Sequence, residues 1–149
     1  MLNIIIPMAG AGSRFVNAGY TDPKPLIEVK DRPMIKLVID NLTPLCDHRF
    51  IFICQKKHII QYQLREKLRE YSPACEIIEI DGLTDGAACT VLKAKELIDN
   101  TDPIMIANSD QFVDLDINEY LQITNDKALD GLIMTMSAND PKWSYAALD

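Results

Sequence analysis

The densest chemistry in the sequence lies between Ile4 and Leu26, IIIPMAGAGSRFVNAGYTDPKPL. Gly10-Ala11-Gly12-Ser13-Arg14 follows a strand-like buried segment directly, and ten residues after Arg14 comes Lys24, bracketed by Pro23 and Pro25. Glycines let successive backbone amides approach an anion and form a concave nest. Arg14 adds a planar fork of donors that stays charged at any working pH. The two prolines restrict the backbone on both sides of Lys24, which lowers the ordering cost of gripping a phosphate with a long side chain. These residues predict a polyphosphate-binding loop.

Two familiar glycine loops are excluded. The P-loop pattern G-x-x-x-x-G-K-[ST] is absent, and Phe15 stands where the dinucleotide fingerprint needs its third glycine. The acidic ribose partner of that fingerprint is missing too, since the second predicted strand ends in Cys54-Gln55.

Charge singles out the same segment. The chain has a net charge of −7, which argues against a protein that coats nucleic acid. Residues 1–36 nevertheless hold five basic groups against three acidic ones, while the remainder holds ten against nineteen. The one basic stretch of an acidic protein is thus the glycine-loop stretch, as expected of an anion site.

An alternation of strand-like and helix-like segments must position this loop. It predicts an α/β fold: three layers, α/β/α, around a mostly parallel, Rossmann-like sheet. Ile4-Ile5-Ile6 reads as a strand buried on both faces, with Pro7 ending its ladder pairing. Further strands are predicted at Phe50 to Cys54, Glu76 to Ile80, Ile104 to Ala107 and Leu132 to Met136, with a short extended piece at Leu26 to Val29. Pro33 opens a helix whose inner face is Ile35, Val38, Ile39 and Leu42. A second helix over 57–70 turns Ile60, Leu64 and Leu68 inward. A third, capped by Thr84 or Asp85, packs through Ala87, Val91, Ala94 and Ile98. Asp116 and Glu119 form the start of a fourth, lined by Ile117, Tyr120, Leu121 and Thr124.

The 149 residues fit one domain, residues 1–149. The lack of a terminating signal at Asp149 is what a fragment of a longer domain would show. No apolar run is long enough to span a bilayer, and MLNIIIP lacks a basic leader region, so a cytoplasmic location is expected. The four cysteines show no C-x-x-C spacing; Cys54 and Cys89 lie in apolar patterns and read as core residues.

The run M-A-G-A-G-S-R-F, followed by D-P-K-P-L-I-E-V and then P-M-I at a helix head, resembles the signature of nucleotidyltransferases of the sugar-nucleotide pyrophosphorylase (sugar-1-phosphate nucleotidylyltransferase) type. The resemblance continues through Asp85-Gly86-Ala87-Ala88 and Asn108-Ser109-Asp110, so it covers nearly the whole chain. It implies the GT-A-like fold of nucleotide-diphospho-sugar transferases. It also implies that Gly10, Ala11, Gly12, Ser13 and Arg14 hold the β- and γ-phosphates of an NTP. Lys24 would contact the reacting phosphates, Met8, Ala9 and the loop from Asp81 to Gly86 would frame the base, and Asp110 would bind Mg²⁺. Beside the resemblance stands a physical reason for Asp110. Ligands of open α/β sheets bind beyond the carboxyl ends of the strands, where both the glycine loop and Asp110 fall, and Mg²⁺ prefers hard oxygen ligands.

The implied reaction moves NMP from an NTP to a small phosphorylated acceptor, a sugar 1-phosphate above all, releasing pyrophosphate. The family subset it most resembles supplies nucleotide sugars for bacterial surface polysaccharide. A cytidylyltransferase with a non-sugar phosphate acceptor stays open. So does a GT-A-type glycosyltransferase, for which Asp114-Leu115-Asp116 has D-x-D spacing, and so does a nucleotide-sensing domain. A nucleic-acid partner is not expected, and a homo-oligomer is compatible with the sequence. The family's second metal carboxylate and its acceptor-binding lysine are not identifiable. His48 and His58 read as surface residues; Trp143 and Tyr145 suit either an acceptor site or a core.

Overall fold

A computed structural model describes residues 1–147 other than Ala11, Ser13, Arg14, Val16 and Lys142. The apolar run near the N-terminus forms β1 (Leu2–Met8), whose residues are buried except at the partly covered Pro7. Three further strands join it: β4 (His48–Gln55), β5 (Glu76–Ile80) and β6 (Ile104–Ile106), in the order β5-β4-β1-β6. Every pairing in this sheet is parallel. A separate two-stranded ribbon, β2 (Glu28–Val29) and β3 (Arg32–Pro33), turns through Lys30 and Asp31, both at positive φ, as two-residue hairpins demand.

Alternation along β1 and β4 builds two cores. Ile4, Ile6, Phe50 and Phe52 face one side, where they meet α1 (Met34–Leu42), α2 (Lys56–Tyr62), α3 (Leu64–Tyr71) and α6 (Ile117–Asp126). Ile5, Ile51 and Ile53 face the other, against α4 (Ala87–Val91) and the 3-10 turn Leu92–Ala94, which leads into α5 (Lys95–Ile98). The expected three layers follow, because parallel strands need crossovers and the crossovers change face when the strand order reverses. That reversal falls between β1 and β6.

Pro7 has a one-sided effect. It stays in register with Ile53 of β4, so β1 continues to Met8 on that side. On the other side the ladder with β6 stops at Ile5 paired with Ile106. Asn3 N–H donates to Pro103 O and Ala107 N–H to Ile5 O, so odd-numbered residues of β1 address β6. The next rung would need an N–H from Pro7, which has none. The expectation that Pro7 ends ladder pairing therefore holds toward β6 and fails toward β4.

Several elements differ from expectation. The helix over 57–70 is broken at Gln63, whose φ of 50° is left-handed. The break rephases the chain: Ile59, Leu64 and Leu68 are buried, and Ile60 is 72% exposed. The third helix begins at Gly86 rather than at a Thr84 or Asp85 cap; Ala87 and Cys89 are exposed, while Val91 and Ala94 reach the core. The Thr84 hydroxyl instead donates to Gly86 O, at 3.1 Å. Residues 132–136 are not a strand. The Tyr120 hydroxyl donates to Leu132 O, and the segment has no ladder partner among the described residues. Asp116 caps α6 as expected, accepting from Asn118 N. No helix among the described residues is long and apolar enough to cross a membrane.

Candidate active site

Beyond the carboxyl ends of β1 and β6 lies a cleft of about 370 Å³. Ligand-binding crevices of open α/β sheets occur at this topological position, where two neighbouring strands send their crossovers to opposite faces. Met8, Gly10, Gly12, Lys24 and Asp110 all line it. Ala9 lies beneath, buried in the second core. Ala11, Ser13 and Arg14 lie outside the described residues.

The glycine loop is held from below by Gln55, the last residue of β4 and only 2% exposed. Its Nε2 donates to Ala9 O at 2.5 Å and reaches Gly10 O at 3.4 Å. The position where a dinucleotide site would carry an acid thus holds an amide that grips the loop's own carbonyls. Gly12 has a φ of +61° and approaches the Lys24 Cβ, so a side chain there would be strained in a region L-residues avoid. Phe15 N–H closes the turn onto Gly12 O at 2.9 Å.

Lys24 begins a 3-10 turn, Lys24–Leu26, with Pro25 and Leu26 buried against α1. The prolines do what their spacing predicts: one sets the entry and the other anchors the exit. The ammonium is ion-paired with the Asp110 carboxylate and lies 5.4 Å from the centroid of the Phe15 ring. Both charged side chains are about one-third exposed, at 31% and 30%. Asp110 is positioned by a turn pinned at both ends. Asn108 Nδ2 donates to Gln111 Oε1 at 2.8 Å. The Asn41 side chain on α1 makes paired 2.9 Å bonds to the backbone of Val113.

α2 supplies a wall that the sequence reading missed. His58 and Tyr62, one turn apart, line the cleft, with ring centroids 6.0 Å apart. The Tyr62 hydroxyl donates to Thr21 O at 3.2 Å, tying α2 to the loop that carries Lys24. His58 is half-buried rather than a surface residue. Burial, then the charge of neighbouring Lys57, lowers its pKa from the ordinary value, favouring the neutral imidazole. The break at Gln63 is why helical spacing did not reveal this face.

The structure does not bring every expected residue to this cleft. Asp81 and Gly86 flank a loop beyond β5, two strands from β1, and do not line it. That loop leads into α4, which packs on β1. The Thr90 hydroxyl donates back to Gly86 O at 3.1 Å and secures its end. Trp143 and Tyr145 are exposed and away from the cleft lining. Among the described residues, no cluster of three His, Cys, Asp or Glu side chains could hold a metal by itself.

Known proteins resemble this chain. The bifunctional protein GlmU of Methanocaldococcus jannaschii is 28% identical over 124 residues, covering 81% of this chain and 28% of that protein. A UTP–glucose-1-phosphate uridylyltransferase of Komagataeibacter xylinus is 25% identical over 169 aligned positions, covering 97% of this chain and 59% of its own length. The chain therefore spans only part of these curated relatives. Among solved structures, a nucleoside-diphosphate-sugar pyrophosphorylase from Vibrio cholerae RC9 is 30% identical, covers 78% of this chain and 52% of its own, and superposes with a TM-score of 0.57. The family pattern described as nucleotidyl transferase matches residues 3–145. With that match spanning almost all of its length, the chain belongs to the nucleotidyl transferase family.

Proposed function

We propose that this chain carries the nucleotide-binding part of an enzyme that transfers NMP from an NTP to a sugar 1-phosphate and releases pyrophosphate. The observation that carries this reading is the meeting of Lys24 and Asp110 beside the glycine loop, at the point where the sheet's strand order reverses. The names borne by the uridylyltransferase and pyrophosphorylase relatives support the same substrate class. The loop's resemblance to the family subset that supplies nucleotide sugars for bacterial surface polysaccharide supports the same use of the product.

The acceptor's phosphate oxygen is already an anion, so the attack needs no general base. Its bond to the α-phosphorus forms as the bond to the bridging oxygen of the β-phosphate breaks, and the electron pair leaves with pyrophosphate. Catalysis is then a matter of positioning and of fixed charge aimed at the phosphates. Backbone amides of the loop from Gly10 to Arg14 hold the β- and γ-phosphates. Lys24 leaves Asp110 to contact the reacting phosphates, and Arg14 stabilises the leaving pyrophosphate. Met8 and Ala9, with the loop from Asp81 to Gly86, frame the base.

Asp110 suits Mg²⁺. It offers a hard, accessible carboxylate, and Mg²⁺ held by a protein carboxylate is completed by phosphate oxygens and water. When bound, the ion would neutralise charge on the phosphates.

The test is pyrophosphate release by the full-length protein across the four NTPs and a panel of sugar 1-phosphates and non-sugar phosphates, with Mg²⁺ and with chelator. Release with one NTP and one sugar 1-phosphate is expected, and its loss in chelator. Nucleotide binding without release in any pairing would overturn the transfer reading. The glycosyltransferase alternative is disfavoured because Asp116, half of its D-x-D motif, is committed to capping α6.

A further inference from the structure

Alongside the Arg14 and Mg²⁺ of the proposed function, the described lining of the cleft holds a further group able to face a phosphate. Among its described lining residues Lys24 supplies one positive charge, Asp22 and Asp110 supply two negative charges, and Lys24 is already paired with Asp110. A polyphosphate would enter a cleft whose described charges do not favour it. His58 lines the same wall and is held to the Lys24 loop through Tyr62 and Thr21. Imidazole can present an N–H to a phosphate oxygen in either protonation state, and two when charged. We propose that His58 is a phosphate-binding residue of this cleft, contacting the terminal phosphates of the nucleotide and the pyrophosphate that leaves.

This inference rests on the cleft being the NTP site. Several groups bear on the imidazole. Burial and, on its own helix, Lys57 oppose its charged form, Tyr62 packs on the ring, and Asp22, Lys24 and Asp110 line the same cleft. Burial lowers its pKa and so disfavours the charged ring in the free protein, whereas an arriving polyanion favours it.

The chain has two histidines, which makes the test direct. His48 stands at the opposite end of β4, its Nδ1 2.8 Å from Cys46 O and its ring edge-on to Phe50. Proton NMR of the two imidazoles is followed while inorganic pyrophosphate and Mg²⁺ are added to the full-length protein, with calorimetry in parallel. The expected result is a shift of the His58 resonances and a rise of about one unit in its titration midpoint, with His48 unmoved. His58→Leu should weaken pyrophosphate binding about tenfold and leave sugar 1-phosphate binding unchanged, with His58→Asn recovering part of the loss. Saturable pyrophosphate binding with unmoved His58 resonances would overturn the role of His58 and leave the NTP site standing. Absence of pyrophosphate binding by calorimetry would overturn both.

Discussion

The Lys24 ammonium and the Asp110 carboxylate, 86 positions apart in sequence, form an ion pair across the mouth of the cleft. Each is the other's placeholder. The proposed ligands, phosphate for Lys24 and a divalent cation for Asp110, must exchange places with this pair. Both side chains remain partly exposed, so the exchange costs little.

Lys24→Met should separate these roles. Turnover is expected to fall on the order of 10²–10³-fold, as for loss of a donor aimed at developing charge. Mn²⁺ binding without nucleotide, followed by electron paramagnetic resonance, should tighten because Asp110 loses its competitor. Stability should change by less than about 1 kcal/mol. Unchanged or weaker Mn²⁺ binding would refute the placeholder relationship.

Gln55→Leu should act through the loop. Ala9 O would lose its donor in a buried position, a cost of about 1–3 kcal/mol, and Gly10 O a longer, part-buried contact. A lower urea midpoint together with weaker nucleotide binding is expected. A wild-type midpoint would mean that the loop is held by other bonds.

Phe52→Ala tests the sheet beneath. Phe52 is fully buried and stacks on Phe50 with ring centroids 5.7 Å apart. Its truncation should cost about 3–5 kcal/mol by denaturant unfolding. A loss below 1 kcal/mol, on the order of a surface change, would contradict this core.

The cysteines should divide into two classes under a thiol reagent at pH 8. Cys46 and Cys89 are exposed and should react quickly. Burial pushes the Cys54 thiol up to about 12, leaving about one part in ten thousand as thiolate, and burial raises Cys75 as well. Fast reaction of all four in the native protein would refute the burial of Cys54 and Cys75.

Much of the architecture is legible because it is written in contiguous residues. Ile4-Ile5-Ile6 and Phe50 to Cys54 announce strands covered on both faces, and the Pro-Lys-Pro bracket announces a fixed lysine. What escapes is set by tertiary context. A single left-handed residue, Gln63, hid the face carrying His58. The grip of Gln55 on Ala9 is a contact between residues 46 positions apart. Leu132 to Met136 has strand composition, yet pairing needs a neighbour that composition cannot specify.

Pro7 bears on how the cleft meets its ligand. A rung that cannot form between β1 and β6 never has to be broken when a nucleotide arrives. The gap between the strand ends is written into the covalent chain and does not depend on occupancy. The pocket floor is therefore preformed, and adaptation on binding is left to the side chains above it.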